Sequence, residues 1–203
     1  MTDSDKRIFL LNAIELCVAI FRGPDTYGWG GIADSGLPDL LARAPENLTD
    51  LTASLRNLQD SILNLSDISD LETEYVRLFV SASGGVPAPL YESCHLDSKP
   101  RTMGDSALAM RSRLDEAGLE LALDSNEPLD HLTIELEYLY HLLSTGWAEE
   151  DPNLIDAGAA FAGTIMLPWV RRFRQSLADA DPQPAFLHGA DITLAVLEGV
   201  TEG

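Results

Sequence analysis

Apolar residues recur at helical spacing along nearly the whole chain, and no stretch alternates apolar with polar residues for more than a few positions. A chain patterned this way buries its apolar stripes by packing helix on helix. The pattern therefore predicts an all-α fold, a single-domain helical bundle of roughly eight to ten helices. Its 203 residues, 45% of them hydrophobic, are enough for a proper core.

Residues 5–21 place Ile8, Leu11, Ile14 or Glu15, Val18 and Phe21 near helical spacing, and Gly23-Pro24-Asp25 ends that helix because proline cannot continue the backbone ladder. The glycine- and aromatic-rich stretch Tyr27–Gly36 reads as an irregular connection. Short helices are expected over 37–43 and 48–64, the second capped by Thr49 or Asp50. Another covers 69–80, with Leu71, Tyr75, Leu78 and Phe79 on one side. Further helices are expected over 100–118, ending at Gly118, and from Asp130 to Thr145, ending at Gly146. For the latter, Asp130 is the expected N-cap, and Leu129 and Ile134 stand where a hydrophobic staple would place them. A long helix over 152–179, interrupted at Pro168, and a last one over 184–199 complete the chain.

Thirty-three acidic residues against 13 basic ones give a formal net charge of −20. Such a field repels nucleic acid, whose affinity for proteins comes largely from lysine and arginine, and it attracts basic partners. The N-terminus Met1-Thr2-Asp3-Ser4-Asp5 has no signal-peptide n-region, and no apolar run reaches the roughly 18 residues expected of a membrane span. Cys17 and Cys94 lie far apart without metal spacing. These features predict a cytoplasmic protein without stable membrane insertion.

No stretch carries a catalytic signature. The adjacent Cys94-His95 lacks an orienting third group, and Gly84-Gly85 lacks the Gly-Lys-Ser/Thr of a phosphate loop. Asp124-Ser125-Asn126-Glu127 lacks the alternating ligands of a calcium loop. His131 with Glu135, and Glu137 with His141, are pairs four residues apart, but Glu135 and Glu137 point to different faces of a helix and no second Glu-x-x-His repeats elsewhere. Neither a metal nor any other cofactor is expected. Arg171-Arg172 lies within a helix and reads as surface charge, while Trp169 reads as a core residue beside Pro168.

The residue types favour binding over bond chemistry at two places. One is the connection Ser81–Pro89, longer than an ordinary link between helices, leading into Leu90-Tyr91-Glu92-Ser93. The other is the helix head Pro128-Leu129-Asp130-His131 with Glu135-Leu136-Glu137 behind it. Leu78-Phe79, then Pro87-Ala88-Pro89, an aromatic at Tyr91 and Glu92-Ser93 resemble the first signature of the TorD/DmsD/NarJ family, chaperones of molybdenum oxidoreductases. The Asp130-His131 pair resembles the second, and Leu167-Pro168-Trp169 a third. Ser81-Ala82 stand where that family usually carries Gly-Pro. The resemblance implies a TorD-like helical fold and a cytoplasmic, non-enzymatic chaperone. Its implied partners are the catalytic subunit of a molybdopterin oxidoreductase and that subunit's twin-arginine leader. The implied peptide-binding residues are Leu78, Phe79, Pro89, Leu90, Tyr91, Glu92, Ser93, Asp130, His131 and Glu135, with Glu92 and Asp130 offering carboxylates to the leader's arginines. The Gly/Pro-rich segment near 81–90 would serve as a loop or hinge, compatible with a monomer or a domain-swapped dimer. The rival readings are a small helical hydrolase or metal enzyme using His131, Glu135 or Cys94, and a helical adaptor unrelated to molybdenum enzymes.

Overall fold

A computed structural model of the chain describes residues 3–23, 26–96, 104–120 and 127–202. Among these residues the α-helices are α1 (Asp3–Phe21), α2 (Thr26–Gly31), α3 (Leu37–Ala42), α4 (Thr49–Leu63), α5 (Asp70–Tyr75) and α6 (Glu92–Leu96). They are followed by α7 (Asp105–Glu116), α8 (Leu132–Glu149), α9 (Pro152–Ala160), α10 (Leu167–Asp179) and α11 (Pro184–Thr201). Three π-helical segments, Ile32–Gly36, Val76–Val80 and Phe161–Met166, continue α2 into α3, extend α5, and join α9 to α10. The all-helical expectation holds: the described residues contain no strand, and the joined elements make nine helical rods.

At the centre α1 packs against α8 and α11, while α11 also packs against α4 and α10. This arrangement corrects the expected face of α1. Its buried residues are Phe9, Leu10, Ala13, Ile14, Leu16, Cys17, Ile20 and Phe21, whereas Ile8 is half exposed. A helix covered on several sides is apolar nearly all round, so more than one stripe fits its sequence. The buried side chains form one continuous core, with Phe79 in edge or tilted ring contact with each of Phe21, Phe173 and Phe186.

Several local expectations change. Tyr27–Gly36 is helical, not irregular, and seats the fully buried Trp29 against Phe186. Helix α4 has Leu48 in the cap position without a side-chain cap, so Thr49 and Asp50 lie inside it. The helix expected over 100–118 is seen as Asp105–Glu116, and residues 100–103 lie outside the described residues, as do Pro24-Asp25 and Asp124–Asn126. Gly146 does not end α8, which runs to Glu149 and stops at Glu150 in the left-handed region. A Cβ at Gly146 would stand 3.0 Å from the Ile155 backbone nitrogen, and one at Gly158 2.8 Å from Leu143 Cδ2. Both glycines thus serve the close approach of α8 and α9.

Pro168 does not break the long helix. The π-helical turn Phe161–Met166 precedes it, and the rod continues from Pro152 to Asp179. By length and composition this rod is apolar enough to cross a membrane, although no unbroken apolar run within it is that long. Its Trp169, Val170, Phe173 and Leu177 are fully buried in the bundle.

Candidate functional site

The two signature segments meet through their backbones. Leu132 N–H donates to Leu90 O at 2.8 Å, Glu92 N–H donates to Asp130 O at 3.0 Å, and Tyr91 pairs with His131 as an isolated antiparallel bridge. On the other side, Ala88 N–H donates to Leu78 O at 3.1 Å. The loop exit is therefore tied both to the end of the Val76–Val80 turn and to the head of α8.

Asp130 does not cap α8. Its carboxylate reaches back and accepts from Ser93 N–H at 3.0 Å, so it caps α6 across 37 residues of sequence. The cap of α8 is His131, whose Nδ1 accepts from Thr133 N–H at 3.2 Å and lies 2.8 Å from Thr133 Oγ1. With His131 as the cap, Leu129 and Ile134 are not at staple positions; both are buried. A nitrogen that accepts a backbone N–H carries no proton, so the His131 ring holds its proton on Nε2. Burial lowers the His131 pKa, which favours that neutral form.

Behind these caps lies a buried acidic pair. Glu135 is fully enclosed, and its Oε2 accepts from the Trp169 indole N–H at 2.9 Å. Glu92, another buried acid, lies beside it, so the two carboxyls act on each other directly. Burial, the first cause, and the neighbouring Glu92 charge raise the Glu135 pKa well above the usual carboxyl value. Burial likewise raises Glu92, opposed by hydrogen bonds to Glu135 and Ser106 and by the Arg113 charge. The expectation that Glu92 and Asp130 present free carboxylates to an incoming arginine is not met: both are buried, and Asp130 is committed to α6.

On the outer side of the Tyr91–His131 bridge an open slot of about 390 Å³ remains. Phe79, Val80, Val86, Pro89 and Leu90 supply its apolar surface, and Tyr75 and Tyr91 stand along it. Val80 is 57% exposed, a large apolar side chain held at the surface. Tyr91 meets the His131 ring edge-on with centroids 5.2 Å apart and donates its hydroxyl to Glu127 Oε2 at 2.7 Å. Glu127 is exposed at the slot and is the one carboxylate among its described lining residues.

Of the residues singled out from sequence, Phe79, Pro89, Leu90, Tyr91 and His131 line this slot. Leu78 is fully buried in the core, and Glu92, Ser93, Asp130 and Glu135 form the buried layer beneath. Sequence reasoning missed Tyr75, Val80, Val86, Cys94 and Glu127 as lining residues. All five lie in or beside the two signature segments, so the signal was there, but no periodicity says which side chains of an irregular loop turn outward.

Neighbouring groups fix the frame. His95 stacks on Trp169 and its Nε2 lies 2.7 Å from Pro89 O, so it is no partner for the Cys94 thiol. Arg172 is more than surface charge, since it donates to His95 O at 2.8 Å and fastens α6 to α10. Arg77 forks onto Glu74 at 2.6 and 2.8 Å, and Glu74 also accepts from Gln183 N–H at 2.8 Å. The polar residues of the Glu74–Phe79 stretch thus tie it to the α10–α11 turn. Among the described residues no group of three or more His, Cys, Asp or Glu side chains comes together as a metal ion would require.

Residues 44–175 match the model of the nitrate reductase delta subunit family. The chain belongs to that family, the TorD/NarJ group. The match spans both signature segments and therefore the slot. Chaperone protein TorD of Vibrio cholerae is 29% identical over 170 residues, covering 81% of this chain and 74% of that protein. Chaperone protein TorD of Photobacterium profundum is 30% identical over 151 residues, covering 70% and 67%. The crystal structure of an Archaeoglobus fulgidus protein assigned to redox enzyme maturation has the same fold, with a TM-score of 0.53, 23% identity, and coverage of 89% of this chain and 90% of that one. TorD/NarJ membership accords with the resemblance read from the two signatures.

Proposed function

We propose that this chain is a cytoplasmic, system-specific chaperone that binds the twin-arginine leader, or an equivalent N-terminal segment, of a molybdopterin oxidoreductase catalytic subunit and holds it until maturation is complete. One observation carries the reading: the two family signatures, some 40 residues apart in sequence, converge on a single slot that has an apolar wall and, among its described lining residues, one exposed carboxylate. A leader of this kind joins arginines to an apolar stretch. Val80, Leu90 and Tyr91 supply matching apolar surface, and Glu127, in place of the buried Glu92 and Asp130, supplies the counter-charge. Recognition of this sort needs a shaped groove and no reacting group. The chain accordingly acts as a binding protein and not as a catalyst.

Titration calorimetry with a synthetic twin-arginine leader tests the reading. The wild-type chain is expected to bind. Val80→Asp, which puts a charge on the apolar wall without touching the core, is expected to weaken binding by about tenfold or more. Glu127→Gln keeps a hydrogen-bond acceptor for Tyr91 and is expected to weaken binding chiefly at low salt. A folded wild-type protein that binds no such peptide from its cognate client would refute the proposal.

A further inference from the structure

One wall of the slot is anchored to the end of α1. Tyr75, one of its walls, donates its hydroxyl to Phe21 O at 2.9 Å, at the end of α1. Arg22 follows at once, near enough to His131 for its charge to disfavour protonation of that ring. Arg22 also lines a second groove, about 360 Å³ in volume, between α1 and α8. Ile14, Val18 and Ala19 make the apolar side of this groove, and Glu15 and Glu137 are exposed along it. Arg22 is paired with Glu137, and the two side chains are 63% and 49% exposed. The end of α1 therefore links a wall of the slot to the groove, and an exposed ion pair stands in the groove.

We propose that the α1–α8 groove continues the slot and receives the cationic stretch of the same client segment, with Arg22 standing in for a client arginine on Glu137 until that segment arrives. The proposal rests on the reading of the slot as the client site. Its occupant follows from the chemistry of the groove: apolar side chains beside two carboxylates, one already satisfied by a guanidinium, on a chain whose net charge is −20. An ion pair this exposed is weakly held and screened by salt, so an incoming guanidinium displaces Arg22 readily and leaves it free to turn to solvent. Buried Glu92 and Asp130 have no such freedom. The pair also discourages unsuitable partners, since a segment without a cation gains nothing by breaking it.

The test titrates the full-length chain with two synthetic peptides, the twin-arginine leader and the same leader with both arginines replaced by glutamine. Glu15→Gln/Glu137→Gln is expected to bind the arginine peptide about tenfold more weakly at low salt and the glutamine peptide unchanged. Arg22→Gln is expected to bind the arginine peptide severalfold more tightly, an advantage lost at high salt. All three positions of exchange are on exposed side chains, and circular dichroism checks that each variant is folded. If the wild-type chain binds the arginine peptide and the double variant binds it equally well, the groove is unused and only this proposal falls. If the wild-type chain binds neither peptide, the slot reading falls with it. A double variant that loses both peptides equally would place its effect in the fold and likewise overturn the proposal.

Discussion

Glu135 faces an indole N–H on one side and a second acid on the other, and its protonation follows from that enclosure. Below the usual carboxyl value the unfolded chain and the folded chain both hold this proton, and the site's full contribution to stability is present. As pH rises above that value the unfolded chain releases the proton while the folded chain retains it, so stability falls with pH until the raised folded value is passed. Glu92, also raised, adds in the same direction. Glu135→Gln offers an oxygen to Trp169 and an amide donor to Glu92 without titrating. It is expected to melt at least as high as the wild type at pH 8 and to show a flatter dependence between pH 5 and pH 8. Glu135→Ala leaves the Trp169 N–H without an acceptor and is expected to lose on the order of 1–3 kcal/mol. Thermal melts of the three proteins across that range make the comparison; a Gln variant as pH-sensitive as the wild type would contradict a raised Glu135 carboxyl.

Helix α6 is only five residues long, and it holds its place because Asp130 caps its head, Arg172 ties its last turn and His95 stacks on Trp169. Removing the cap is expected to cost about 1–2 kcal/mol in Asp130→Ala, while Asp130→Asn keeps an acceptor for Ser93 N–H and loses less. Urea denaturation measures the difference, and an Ala variant as stable as the wild type would remove Asp130 from this role. This element also marks how far the sequence could be read. The helices and the long connection before Leu90 were legible, because periodicity and Gly/Pro placement are local signals. The assignment of Asp130 to its own helix followed the same local logic and failed, because the donor it satisfies belongs to a segment 37 residues earlier. Glu92 was misplaced for a related reason: a charged residue beside a loop reads as exposed, and only the approach of Ser106 and Glu135 from distant parts of the chain encloses it. The helical Thr26–Gly36 stretch escaped notice because glycine-rich composition hides the π-helical turn that carries it on into α3.

The molecule as a whole pairs a continuous apolar core with an acidic surface. The Ser81–Leu90 connection divides the chain without dividing the core, since its Ala88 and Leu90 are buried and bonded to both flanking elements. It thus presents the slot on a fixed frame, which lowers the ordering cost of binding an extended segment. The surface charge adds long-range attraction for a basic segment, most effective at low salt.

Site-directed photo-crosslinking tests the central claim most directly. A photoreactive residue at Val80, exposed in the slot, is compared with one at Leu63, exposed at the end of α4 and outside it. After irradiation in cells that express the cognate redox-enzyme subunit, the crosslinked peptides are identified by mass spectrometry. The account predicts adducts from position 80 to the N-terminal segment of that subunit and none from position 63. Equal yields from both positions, or adducts from position 80 confined to unrelated proteins, would contradict it.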